Sequence, residues 1–179
     1  MEAFSQLSTF KIYCEGVTSM KIGFLIIDMQ TIHLQGLEKK VIDRACEYIN
    51  HVSDMLRSKD HVVIHIQDTE GMTESDRDSF STVPEIQIKD KDLILTKENS
   101  NAFWKTELEQ ILLNQGVEFI IISGFAAEHC VLFTHNGAIE RGFTSVILQN
   151  GILSTHSDVI TSTYRDRNLI SYPVIKYLL

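Results

Sequence analysis

The chain has 179 residues, 44% of them apolar and 22% charged, with a formal net charge of −8. That length accommodates one domain with a substantial core, and the composition is that of an ordinary globular protein. A negative balance without any basic run repels phosphate backbones, which argues against a nucleic-acid partner. The longest apolar runs, residues 24–27 and 119–122, are strand-sized and far short of a membrane span. The N-terminus has neither a basic start nor an apolar signal core, so a cytoplasmic location away from membranes is expected. Cys14, Cys46 and Cys130 are too few, and odd in number, for a disulfide framework. At least one thiol is expected to be free.

Residues 1–19 read in one of two ways: as an arm or edge strand, with a strand-like run at 10–14, or as a segment ahead of a true start at Met20. The domain proper is assigned to residues 20–179. Residues 22–27 form a continuous apolar run that stops at Asp28, as in a strand buried on both faces. From 38 to 58, Val41, Ile42, Ala45, Ile49, Val52, Met55 and Leu56 recur at helical steps and make one apolar stripe. A second strand is predicted at 62–66, followed by a polar, aperiodic loop at 67–81 suited to a pocket wall.

The third strand is placed at 93–96. Thr106-x-x-Glu109 resembles a capping box opening a helix that runs to about Gln115 and stops at Gly116. The fourth strand is predicted at 118–123, then a turn at 124–127 and a helix ending at Arg141 before Gly142. A fifth strand follows at 144–148, a helix opened by Thr155-x-x-Asp158, and a sixth strand at 169–172 before Pro173. Strands alternating with helices imply parallel β-α-β units and a three-layer α/β/α sandwich. In such sheets, sites form at the carboxyl ends of the strands.

Three reactive side chains fall at those ends: Asp28 after the first strand, Lys97 after the third, and Cys130 in the first helical turn after the fourth. A helix N-terminus and a neighbouring ammonium favour a thiolate, lowering a cysteine pKa from roughly 8.5 to roughly 3.5–7.5 in such settings. Asp28 is then placed to accept the thiol proton and return it to a leaving amine. Taken singly, each residue has an ordinary explanation. A helical cysteine is most often a small buried hydrophobe, which suits Cys46 beside its apolar stripe. The convergence of the three on one rim is what points to chemistry.

Leu25-Ile26-Ile27-Asp28-Met29-Gln30, then Thr96-Lys97 leading into Asn101-Ala102-Phe103, then Ser123-Gly124-Phe125-Ala126-Ala127-Glu128-His129-Cys130-Val131 resemble the three signatures of the isochorismatase-like cysteine hydrolases. Thr134, Ala138 and Gly142 follow that family's helix pattern, and the resemblance spans residues 21–157. It implies a Rossmann-like, parallel six-stranded sheet flanked by helices. It also implies hydrolysis of small amides or related compounds through a thioester, with an Asp-Lys-Cys triad matched to Asp28, Lys97 and Cys130. By the same resemblance a cis peptide joins Phe125 to Ala126, and the amides of Ala126 and Cys130 face a developing oxyanion.

Two positions depart from the pattern. Ala127 stands where many relatives have threonine, and His33 where relatives often place a pocket phenylalanine, a change expected to alter substrate choice. Relatives that cleave the vinyl ether of isochorismate lack the cysteine, so Cys130 favours acyl chemistry. Nicotinamidase-type relatives bind a metal through an Asp-x-His pair and a further histidine. The stretch Gln67-Asp68-Thr69-Glu70-Gly71-Met72 has no histidine, so no metal site of that type is expected.

His129 neighbours Cys130 but points about 100° away on a helix, so a dyad is poorly placed. His61 and His65 share one strand face, but lacking a third ligand they read as packing residues. Phe103 is a pocket-floor candidate by family position. Trp104 is divided between pocket and core, and Gln67 is a candidate donor to a substrate amide. The leading expectation is a cofactor-free homo-oligomer hydrolysing a small amide or carbamoyl compound; the rival is a binding or assembly protein on the same fold.

Overall fold

The computed structural model describes residues 20–179. The arm or edge-strand reading of residues 1–19, and Cys14 with it, lies outside the described residues. Six strands and five helices follow in the order β1 (Lys21–Ile27), α1 (Lys39–Arg57), β2 (Val62–Asp68), β3 (Leu93–Lys97), α2 (Leu108–Asn114), β4 (Val117–Phe125), α3 (Cys130–Glu140), β5 (Thr144–Leu153), α4 (Ser157–Asp166), β6 (Leu169–Ile170) and α5 (Tyr172–Leu178). The sheet order is β3-β2-β1-β4-β5-β6, with every pairing parallel. The chain therefore steps outward from β1 to one edge and returns at β4, making a switch point between β1 and β4.

Side chains alternate along each strand, so the two sheet faces carry separate cores. Phe24, Ile26 and Ile121 pack with Ile49, Val52 and Leu56 of α1 and with Ile175 of α5. Leu25, Ile27, Ile120 and Ile122 pack with Leu108 and Leu112 of α2 and with Val131 and Ala138 of α3. The three-layer sandwich follows. Among the described residues, no helix is long and apolar enough to cross a membrane.

Several expectations about element bounds are corrected. β2 runs on to Asp68, β4 to Phe125 and β5 to Leu153, because ladder pairing continues where the apolar runs stop. The sixth strand is only two residues long, and Tyr172 instead opens α5. Pro173 suits that helix start, where a missing N–H leaves nothing unpaired. The polar loop after β2 contains a one-turn 3-10 helix, Arg77–Phe80.

The capping box does not form. The Leu108 N–H donates to Thr106 Oγ1 at 3.3 Å, but Glu109 turns away to accept from Arg141 at 2.9 Å. Gly116 and Gly142 end their helices with φ of +68° and +85°, the left-handed conformation glycine adopts without a Cβ penalty.

Candidate active site

Asp28 leaves β1 with φ +48° while its N–H still donates to Ile66 O of β2 at 2.9 Å, turning its carboxylate over the rim. Lys97, last in β3, stands across from Asp68 in the β2–β3 register. Two strand spacings, each about 4.8 Å, separate β3 from β1. Only a long side chain spans that gap, and the Lys97 stem does so. Its Nζ lies 2.8 Å from Asp28 Oδ2, 3.3 Å from Asp68 Oδ2 and 3.5 Å from Cys130 Sγ. Its side chain is wholly enclosed.

Asp68 is the member that sequence reading passed over. The signal was present, since one more ladder step along β2 brings position 68 onto the rim beside Lys97. Donor atoms of Asp28, Asp68 and Cys130 lie within 4.8 Å of one another, a grouping that by proximity alone would suit a cation. The Lys97 ammonium already supplies that positive charge from within the cluster.

The turn carrying Cys130 is set by Gly124, whose φ is +110°. A Cβ there would sit 2.0 Å from the Ile27 carbonyl oxygen, so only glycine lets β4 pass β1 this closely. The Phe125–Ala126 peptide is cis. The Ala126 carbonyl accepts from His129 N at 3.0 Å and Val131 N at 3.2 Å, and Ala127 N donates to Leu153 O at 2.9 Å. Among the described residues, no backbone carbonyl takes the amides of Ala126 or Cys130. Cys130 itself is the first residue of α3.

The electrostatics reverse one expectation. Burial, then the adjacent Asp28 carboxylate, push the Cys130 thiol up to about 12, and Lys97 only partly opposes them. A thiolate beside two carboxylates and one ammonium would leave two net negative charges in a buried pocket. The resting group is therefore a neutral thiol. Burial also raises the Asp28 pKa above the ordinary aspartate value, against the pull of Lys97. Burial pulls the Lys97 pKa down, but the Asp28 and Asp68 carboxylates outweigh it and raise it above the ordinary lysine value.

The remaining candidates divide. His33 lies at this rim, stacked on Phe125 with centroids 6.4 Å apart. Gln67 donates to Thr82 Oγ1 at 2.9 Å, which ties it to the loop wall. Phe103 does not floor a pocket at Cys130. It is buried against Phe143 at 6.0 Å and under Arg141 at 5.0 Å, beyond the far end of α3. Trp104 is 54% exposed and so is not a core residue.

His129 is exposed. His61 Nδ1 accepts from Ile22 N, and His65 Nε2 faces Asp92, so each serves packing. Cys46 is buried in the α1 core with its pKa pushed up to about 12, chiefly by burial. Sequence reading left the role of Gln30 unstated. Its amide binds Asp68 O and Phe80 O and accepts from Asp68 N, clamping the end of β2 to the 3-10 turn.

The family model described as the isochorismatase domain matches residues 23–164. The chain belongs to the isochorismatase family. Among curated relatives of this isochorismatase-family chain, the uncharacterized isochorismatase family protein YaaI of Bacillus subtilis is 28% identical over 134 residues, 69% of this chain and 73% of its own. An isochorismatase-like hydrolase from Alkaliphilus metalliredigens superposes with a TM-score of 0.76 at 17% identity, covering 89% of this chain and 97% of that one. N-carbamoylsarcosine amidase from Thermoplasma acidophilum superposes with a TM-score of 0.70 at 19% identity, covering 82% and 92%. At these identities the superpositions establish the fold; the domain match establishes membership of a hydrolase family.

Proposed function

We propose that the protein hydrolyses a C–N bond of a small amide or carbamoyl compound through a thioester on Cys130. The observation that carries this reading is Lys97 Nζ within 3.5 Å of the sulfur and within 2.8 Å of the Asp28 carboxylate. The likeness of the fold to N-carbamoylsarcosine amidase supports the substrate class.

As Sγ attacks the carbonyl carbon, its proton passes to Asp28. That transfer neutralises one group as it charges the other, so the buried site keeps its net charge, and a raised Asp28 pKa makes the base stronger. Lys97 stays cationic and holds the carboxylate and sulfur in place. The free amides of Ala126 and Cys130 receive the oxyanion, a contribution worth about 3 kcal/mol where such donors have been removed. Asp28 returns the proton to the leaving amine, and the same carboxylate activates water against the thioester.

A thiol held near 12 also suits a binding protein that never turns over. Mass spectrometry after exposure to an amide library separates the two readings. An acyl adduct on Cys130, lost in Cys130→Ala, supports the hydrolase. A chain that stays unmodified and releases no ammonia or amine sinks it.

A further inference from the structure

The charges gathered at the rim do not balance. The carboxylates of Asp28 and Asp68 meet the single ammonium of Lys97 beside a Cys130 thiol that rests neutral, so negative charge is left over. The distances say which group carries it. Lys97 Nζ is 2.8 Å from Asp28 and 3.3 Å from Asp68, so the ammonium is drawn chiefly to Asp28 and only partly offsets Asp68. Exposure points the same way: the side chains of Lys97 and Asp28 are enclosed, whereas that of Asp68 is 13% exposed. Of the three charged groups, Asp68 is the one that meets an approaching molecule.

Asp68 is also pinned in place. Gln30 holds its backbone on both sides, accepting from its N–H at 2.7 Å and donating to its carbonyl at 2.9 Å. The Glu70 N–H donates to Asp68 Oδ1 at 2.9 Å. A carboxylate oxygen of Asp68 lies within 4.8 Å of Cys130 Sγ. A group bonded to that sulfur therefore sits where a partly buried charge acts with reduced screening. A cavity of about 360 Å³ opens between Thr69, next along the chain, and Lys97, across the ladder. Glu98 and Lys105 also line it and their charges cancel, so the cavity leaves the surplus on Asp68 standing.

We propose that Asp68 sets the charge selectivity of the site. It admits amides that are neutral or carry a cation beside the scissile bond, and it rejects those that carry a carboxylate there. The assignment rests on the reading of Cys130 as the acyl-transfer sulfur.

The test reads the field on the sulfur itself. The full chain is treated with two methanethiosulfonates, one bearing a trimethylammonioethyl group and the other a sulfonatoethyl group. In both reactions the thiol gives its proton to solvent, the sulfur forms a disulfide with the reagent, and methanesulfinate leaves. Rates are followed on the Cys130 peptide by mass spectrometry and divided by those with free cysteine. The cationic reagent should react about ten-fold faster than the anionic one, the effect of a single charge at this separation. Asp68→Asn should erase most of that difference. A change in thiol pKa speeds both reagents alike, so the ratio isolates the charge. Asp68→Glu keeps the charge and should keep the ratio, and Asp68→Ala serves where the asparagine variant does not fold.

Amides then test the substrate class. Glycinamide, a cation, should shield Cys130 from the neutral methyl methanethiosulfonate at about ten-fold lower concentration than oxamate, an anion of similar size. Equal normalised rates in the unsubstituted chain, a ratio unmoved by Asp68→Asn, or no advantage of glycinamide over oxamate overturns the assignment. Failure of the hydrolase reading shows separately, as absence of an acyl adduct on Cys130 with the reagent ratio intact.

Discussion

Lys97 Nζ lies 2.8 Å from Asp28 Oδ2, although β3 and β1 are separated by the whole of β2. The contact also passes Asp68, so one ammonium is shared by two carboxylates and a sulfur. Removing either end of the 2.8 Å pair should therefore move the thiol in opposite directions. Asp28→Asn deletes a charge that raises the Cys130 pKa and should lower it from about 12. Lys97→Met deletes the charge that lowers it and should raise it further. Ultraviolet thiolate absorbance against pH reads both. Turnover should fall about 10³-fold in each, within the range for loss of a general base or its orienting partner. Shifts of the same sign would dismantle the electrostatic account.

The pH–rate profile should have an acid limb set by Asp28. The base works only when ionised, and burial raises its pKa above 3.8. kcat/KM should thus decline at a pH higher than an ordinary aspartate would dictate. Lys97 is raised above 10.5, so no loss of its charge should appear below that pH. A profile flat into the range of an unperturbed aspartate would remove Asp28 as base.

Asp92 anchors the opposite end of the sheet. Its enclosed carboxylate takes hydrogen bonds from Arg57 Nε at 2.9 Å, Arg57 Nη2 at 2.6 Å and Lys89 N at 2.8 Å, and pairs with His65 at 3.1 Å. Asp92→Ala should cost about 3 kcal/mol in urea unfolding at neutral pH, because the partners remain buried without it. Burial pulls the Asp92 pKa up, but the donors from Arg57, Lys89 and His65 win and hold it below 3.8. A depressed carboxylate stabilises above its unfolded pKa and loses that stability as pH falls through its folded one. The gap between the two proteins should accordingly narrow below pH 3.8. Activity per folded molecule should not change.

Gly124→Ala should destabilise by about 3 kcal/mol or more, combining a positive φ with a clash against backbone. The Cβ would meet Ile27 O, which cannot move without breaking the β1–β4 ladder. Thermal unfolding checks this; a melting temperature within a degree or two of the parent would contradict the close approach.

Short apolar runs broken by helical stripes were enough to read the layered parallel sheet, because strands buried on both faces must be apolar throughout. Chain-end geometry then placed Asp28, Lys97 and Cys130 on one rim. The last helix was not legible: residues 169–172 are as apolar as a strand, and Pro173 reads equally as a strand stop or a helix start. The partners of Phe103 were not legible either, because only the folded chain brings Phe143 and Arg141 against its ring.

By itself the sequence determined the fold class, the strand ends at which reactive side chains emerge, and the glycines that permit the turns. Each of those depends on local pattern and backbone sterics. The tertiary structure alone decided that the thiol pKa is raised and not lowered, and that His33 is left with an unpaired nitrogen. Those outcomes depend on distances and burial among residues far apart in the chain, and no periodicity encodes the depth at which a charge is enclosed.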